Sequence, residues 1–273
     1  KVLKLGDLIK NNNFHALSNA FDVSAMEDLL EEASAQSGRQ DGFTKKKSFA
    51  PSGVGYGSGR CPRYWYFAFH GANFVYSNTA RQRANMDAGT AAGERIANLF
   101  KKAGILNSAE FKIIHNDPPI FGYGDLAVTW QGEQMIGEVK TTRDESFQMR
   151  ASTMKAPGYQ LIQLLIYMYV LQKDKGFFCI ENKNTHEILI IPVKMTDERR
   201  ELVERVLDWM RTVKKASDED KMPNRPFTPK SLECKSCPVW EECWGGYVKQ
   251  TAKREGKDPK PGVIDLPPLE VPK

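Results

Sequence analysis

A chain of 273 residues with 41% hydrophobic and 27% charged residues has globular composition, which excludes a wholly disordered, fibrous or repeat architecture and allows one large domain or two small ones. Its 39 Lys and Arg against 34 Asp and Glu leave a net charge of +5, a mild excess that permits a polyanionic partner without implying one. The longest apolar run, Leu161 to Leu171, is interrupted by Gln163 and too short to cross a bilayer, and the first residues show no secretory leader. The expected address is the cytoplasm of a bacterial, archaeal or phage-infected cell, with no membrane partner.

In chain order, Ser24 and Glu27 have capping-box spacing ahead of Met26, Leu29 and Leu30, which predicts a short amphipathic helix. Residues 36–60 are rich in Gly, Ser and Lys and read as a mobile connecting loop, so residues 1–58 form a basic lead-in. A helix follows from about 85 to 103, with Met86, Ile96, Leu99, Phe100 and Ala103 on one side and Gly104 as its stop. The period then changes. Residues 111–114, 122–130 and 134–141 read as an antiparallel meander, the last two joined by a tight hairpin at Gln131-Gly132-Glu133.

Residues 158–172 are helical, and 177–181 and 187–193 are strands around the Asn182-Lys183-Asn184 turn. Thr196 caps a long helix to Ala216, with Asp197 and Glu198 at its positive end and Leu202, Val206, Met210 and Val213 as its buried stripe. This order predicts an α/β sandwich with a core over 59–222, a Cys-rich module over 223–250, and a Lys/Pro tail over 251–273 expected to be disordered.

The chemistry sits on the meander. Strand alternation puts Glu138 and Lys140 on one side and Val139 on the other, and antiparallel pairing through a three-residue turn can bring Asp125 near Glu138. Two carboxylates at close quarters are what hard divalent cations such as Mg²⁺ or Mn²⁺ prefer. A carboxylate pair with a metal and an adjacent amine suits phosphodiester hydrolysis, because the ion neutralises phosphate charge and acidifies a bound water. A plain Glu-x-Lys alternation is common on solvated strands; the apolar flanks Leu126, Val128, Ile136 and Val139 argue for half-burial and a site.

Asp125, Glu138-Val139-Lys140 and, on the next helix, Gln163 with Tyr167 four residues on resemble the motifs of the PD-(D/E)xK nuclease superfamily, in its RecB-like branch. The likeness spans roughly residues 60 to 245. It implies a restriction-endonuclease-like mixed sheet flanked by helices, metal held by Asp125, Glu138 and the Val139 carbonyl, Lys140 assisting the water, and Gln163 and Tyr167 meeting DNA or bracing the site. The branch usually carries a metal-binding His four residues after a helical Gly-Thr. Here Gly89-Thr90-Ala91-Ala92 leads to Gly93 and then Glu94, so Glu94 is the candidate replacement ligand.

Five cysteines, an odd number, stand at 61, 179, 234, 237 and 243, which in a reduced compartment suggests metal ligation and not a disulfide framework. Cys234, Cys237 and Cys243 are clustered, Cys61 is the obvious fourth ligand, and Cys179 in an apolar strand reads as a buried hydrophobe. Four thiolates accept zinc or a 4Fe–4S cluster. One remote Cys plus a C-terminal triplet is similar to iron–sulfur nucleases related to AddB and to the CRISPR-adaptation exonucleases, which favours iron–sulfur and a structural staple between the N- and C-terminal segments. Trp65, Trp240 and Trp244 are candidates to shield it.

The resemblance thus implies a metal-dependent DNA exonuclease acting on single strands or ends in recombination, repair or CRISPR-type fragment processing, with proteins of those pathways as partners. Arg60, Arg63 and Lys155 are the candidates to guide the phosphate backbone, and Tyr56, Tyr64 or Trp65 to stack on bases. The competing classes are a non-catalytic nucleic-acid-binding subunit and a zinc-stabilised interaction module.

Overall fold

The computed structural model describes residues 22–36, 41–76, 78–245 and 263–272. The chain divides into a small unit, residues 1–40 with 77–88, and a large one, residues 41–76 with 89–273. In the small unit helix α1 spans Val23–Gln36, and its cap is Asp22, whose Oδ1 accepts from the Ala25 amide at 2.9 Å, not Ser24 as the spacing suggested. The same unit holds the start of helix α3, Ala80–Lys102. There Thr79 and Gln82 form a reciprocal capping box that starts the helix five residues earlier than expected.

The large unit is a mixed α/β structure. Strands β3 (Leu106–His115), β4 (Ile120–Trp130), β5 (Glu133–Thr142), β6 (Lys175–Asn182) and β7 (Ile188–Lys194) form one sheet in that order; β1 (Gly42–Thr44) and β2 (Ala72–Phe74) form a separate two-stranded one. Within the five-stranded sheet only β5 and β6 run parallel, because two helices, α4 (Asp144–Thr153) and α5 (Gly158–Val170), carry the chain between them. The hairpin between β4 and β5 closes on Gln131 and Gly132, both at positive φ (52° and 80°), as a two-residue loop matched to strand twist requires.

One face of the sheet (Ile136, Phe178, Ile180, Ile191) packs with α5, with helix α2 (Pro62–His70) and with helix α6 (Asp197–Asp218) in the main core. A smaller cluster joins Leu126, Val128, Phe177 and Cys179 to Ile96 of α3. Cys179, fully buried, is the small hydrophobe it was expected to be. Helix α5 is apolar almost all round because it is covered on both sides, whereas α6 shows the amphipathic stripe, shifted to Val203, Val206, Leu207, Met210 and Val213 with Leu202 at its margin.

Four expectations are corrected. Residues 47–60 are not a mobile loop: Phe49 and Val54 are core residues, and a Cβ on Gly59 would lie 1.7 Å from the Gly53 carbonyl oxygen, so the glycine serves close backbone approach. Helices α2 and α4 were not foreseen. The first is aromatic-rich and starts at Pro62, so packing and not propensity makes it; the second buries little besides Phe147 and Arg150. Met86 and Leu99, placed on the buried side of α3, are exposed. Of the tail, residues 263–272 are laid on the large unit, with Ile264 bridging Pro223 and the Leu269 amide donating to the Arg60 carbonyl at 2.9 Å; residues 251–262 lie outside the described ones.

Candidate functional site

Strands β4 and β5 pair from Trp130↔Glu133 up to Leu126↔Gly137, and their pairing ends there. Beyond it β5 continues against β6 alone, while β4 continues with β3 towards Ile120. The strands fork, and Asp125 and Glu138 are the first residues past the last pair. The edge of β4 left open by β5 is taken by the segment around Phe49, whose amide donates to the Pro119 carbonyl at 2.8 Å and whose carbonyl accepts from the Phe121 amide at 3.0 Å.

At the fork the Val139 amide donates to Asp125 Oδ2 at 2.7 Å. Since the N–H and C=O of one strand residue leave on the same edge, the Val139 carbonyl opens into the fork as well. Glu138 is 1% exposed, and its Oε1 accepts from Lys140 Nζ at 2.5 Å and from Gln163 Nε2 at 2.7 Å. Its Oε2 is buried and has no hydrogen-bond partner. Burial, then the Asp125 charge, push the Glu138 carboxyl up to about 7, against the opposing pull of Lys140 and Gln163. Asp125 is raised by burial too, with Lys140 and the Val139 amide acting the other way.

Gln163 and Tyr167 share one face of α5 and are 6% and 2% exposed. The Tyr167 hydroxyl is hydrogen-bonded to Gln163, and burial, followed by the negative charge of Glu138, raises it well above the usual phenol range. Gly122 on β4 makes room for that ring, since a Cβ there would lie 2.9 Å from the hydroxyl. So placed, the pair orients Glu138 from within and does not face solvent.

One acid escaped the sequence reading. Glu110 on β3 occupies the register position across from Asp125, between the pairs Ala109↔Leu126 and Phe111↔Gly124, and its φ of 50° interrupts the ladder there. Its carboxyl is raised by burial, then by Asp125 and by Glu94. Glu94, exposed on α3, acts on the Glu110 carboxyl through its charge. Nothing in the local sequence marks Glu110; only the strand register does.

Among the described residues no group of three or more His, Cys, Asp or Glu side chains is arranged as a metal site. The fork nonetheless fits a divalent ion in two respects: a buried carboxylate oxygen without a partner, and a second carboxylate across the strands.

The second set of expected ligands lies on separate segments. Cys61 is the N-cap of α2, Cys234 is in the short helix α7 (Leu232–Lys235), Cys237 lies in the following turn, and Cys243 in a π-helical turn, Glu241–Gly245. All four line one cavity, with Tyr64, Phe67, Val239 and Trp244 as apolar walls. Burial pushes the Cys61 and Cys237 thiols up to about 12 and raises Cys243 as well. Arg225 donates to the Cys243 carbonyl at 2.7 Å and lies 4.7 Å from the Trp244 ring centre. Four thiols on one cavity are a donor set that fits a thiophilic centre, and loading it must expel their protons.

The expected backbone guides fare differently. Arg63 is 3% exposed and donates to the Pro223 carbonyl at 2.8 Å, so it ties α2 to the Cys module and is withdrawn from solvent. Arg60 reaches Glu233 at 2.9 Å and the Leu269 carbonyl at 3.0 Å, also a structural tie. Lys155 is exposed. Trp65 is core, its indole N–H donating to the Gly59 carbonyl at 2.8 Å, and Tyr56 packs on Tyr159.

No protein-family model matches the chain, and no curated protein matches it. Among solved structures it is similar to SSO0001, at 14% identity with a TM-score of 0.41 over 81% of this chain and 97% of that one. It is also similar to LHK-Exo, an alkaline exonuclease from Laribacter hongkongensis, at 12% identity with a TM-score of 0.45 over 71% of this chain and 96% of that one. The complex of LHK-Exo with dAMP gives 13% and 0.45 over 64% and 91%. The likeness is distant and decides nothing about chemistry. No helix among the described residues is long and apolar enough to cross a membrane.

Proposed function

We propose that the chain is a metal-dependent deoxyribonuclease of the PD-(D/E)xK type, an exonuclease on single-stranded DNA or DNA ends in recombination, repair or CRISPR-type fragment processing. The observation that carries the reading is Glu138: a buried carboxylate with one oxygen held by Lys140 and Gln163 and the other unpartnered, across a strand fork from Asp125. Asp125, Glu138 and the Val139 carbonyl would hold the ion, with Glu110 across from Asp125 on β3 and Glu94 the candidate further ligand. A bound Mg²⁺ or Mn²⁺ would neutralise phosphate charge and lower the pKa of its water. Gln163, fixed by Tyr167, keeps Glu138 turned towards the fork. Lys140, 26% exposed, touches both the carboxylate and the solvent from which a phosphodiester arrives.

The test is release of nucleotide from labelled single- and double-stranded DNA with Mg²⁺ or Mn²⁺. Wild type should release it, while Glu138→Ala and Lys140→Ala should not; equal release by all three removes the proposed site. The same reading gives Cys61, Cys234, Cys237 and Cys243 a structural 4Fe–4S cluster, supported by their spacing and shared cavity, with zinc as the alternative. Anaerobically purified protein should be brown and carry iron, and Cys61→Ser should lose both colour and thermal stability. Colourless protein with stoichiometric zinc reverses the assignment.

A further inference from the structure

The half of β4 that precedes Asp125 carries a feature that the catalytic reading does not use. Ile120 points into the core and Gly122 lies under Tyr167, so Phe121 and Tyr123 project from the opposite face, 39% and 45% exposed. Their rings meet edge to face with centroids 5.3 Å apart. On β3 the cross-strand partners are Ile114, opposite Phe121, and Lys112, opposite Tyr123. Ile114 is 60% exposed and Lys112 is exposed, so the patch combines two aromatic faces, an aliphatic one and a cation.

Two further observations define its occupant. The patch ends beside the fork: Tyr123 stands two residues before Asp125 on β4, although the alternation of the strand reverses between Gly122, which faces Tyr167, and Leu126, which packs with Ile96 of α3, so the rings and the carboxylates do not share one face. The segment hydrogen-bonded to the other edge of β4, around Phe49, is preceded by the basic run Lys45-Lys46-Lys47, of which Lys45 and Lys47 are exposed. Aromatic faces with a cation beside them on β3, and a basic run on the segment bridged in parallel to the other edge of β4, complement stacked bases on a phosphate chain.

We propose that Phe121 and Tyr123 form a stacking platform for unpaired bases, with Lys112 and the Lys45–Lys47 run following the phosphates, which makes single-stranded DNA the ligand of this face. Bases in a duplex have their faces covered and cannot use it. The platform rests on the nuclease reading for its purpose, as a hold on the strand beside the fork, but its binding can be measured separately.

The experiment uses the full chain in EDTA, where hydrolysis is stopped, and follows fluorescence anisotropy of a labelled oligothymidylate, an abasic oligonucleotide of equal length, and a blunt duplex. Phe121→Ala/Tyr123→Ala should weaken oligothymidylate binding about 10- to 100-fold and leave the abasic strand unaffected. Lys112→Ala should weaken both single strands and reduce the salt dependence by somewhat under one counterion. Unchanged oligothymidylate binding by the double variant overturns the platform, as does an equal loss for the abasic strand. Nucleotide release with Mg²⁺ or Mn²⁺, measured in parallel on wild type and Glu138→Ala, separates the two claims. Glu138-dependent release with platform-independent binding refutes the platform alone. Platform-dependent binding without any release refutes the nuclease alone.

Discussion

Glu138 on β5 and Glu181 on β6 are buried alike, 1% and 2% exposed, on strands that run parallel with Thr141 beside Glu181. Their carboxylates are compensated differently. Glu181 is held by Arg95 of α3 and by His186 Nδ1 at 2.7 Å, two cation-forming groups from separate elements. Glu138 has one amine and one amide on the same oxygen, an unpartnered second oxygen, and a like charge across the fork. Burial of an acid is thus no mark of function in this sheet. What distinguishes the fork is compensation left incomplete, which costs stability unless something positive arrives.

The largest expected effect separates the two residues by activity. Glu138→Gln should lower nucleotide release by at least about 1000-fold, a loss of roughly 4 kcal/mol of transition-state stabilisation, while its melting temperature is unchanged or higher because an under-compensated buried charge is gone. Glu181→Gln should keep release within a few-fold of wild type and lose about 1–2 kcal/mol of stability, Arg95 being half exposed and so only partly stranded. If the two variants trade places, the assignment of site and scaffold is inverted.

Next in size is a pH effect on the metal-free protein. The Glu138 carboxyl titrates at about 7 in the folded chain against an ordinary 4.5, so between these values the folded state holds a proton that the unfolded state has released. Its contribution to stability is therefore complete below about 4.5 and is lost as pH rises through about 7, on the order of 3 kcal/mol in all. Urea denaturation at pH 5 and pH 8 should show this loss in wild type and much less of it in Glu138→Gln. Saturating Mn²⁺ should flatten the wild-type slope, since the ion favours the ionised carboxylates. An identical slope in wild type and variant would place the titration elsewhere.

A smaller effect tests the brace. Gln163→Leu removes a donor that favours the charged form of Glu138, so release should fall about 10-fold and the acidic limb of its pH profile should move to higher pH. A lower rate with an unmoved profile would leave Gln163 a packing role only.

How much of this was readable depends on the range of the interaction. Asp125, Glu138, Lys140 and the Gln163–Tyr167 pair were legible because strand alternation and helix periodicity are local, and one short hairpin fixes the register between the first two. Glu110 was not, because its place across from Asp125 follows from the pairing of β3 with β4 and from a single left-handed residue. Arg63 misled, since a charged side chain defaults to the surface unless the distant Pro223 carbonyl is known to receive it. The tail misled through its Lys and Pro content, although Ile264, Leu266, Leu269 and Val271 repeat apolar residues at intervals that an extended, docked segment needs.

The smallest expected effect sharpens the Glu181 side. His186 is 71% exposed on its side chain and sits at φ 62°, a conformation that asparagine adopts readily. His186→Asn should therefore cost no more than about 0.5 kcal/mol in urea denaturation and leave nucleotide release unchanged, because water shares the work of an exposed partner. Arg95, half exposed and donating from a helix that packs on the sheet, should carry more of the compensation, so Arg95→Gln should cost more than His186→Asn. If His186→Asn proves the costlier of the two, the exposed partner and not Arg95 carries the compensation of Glu181.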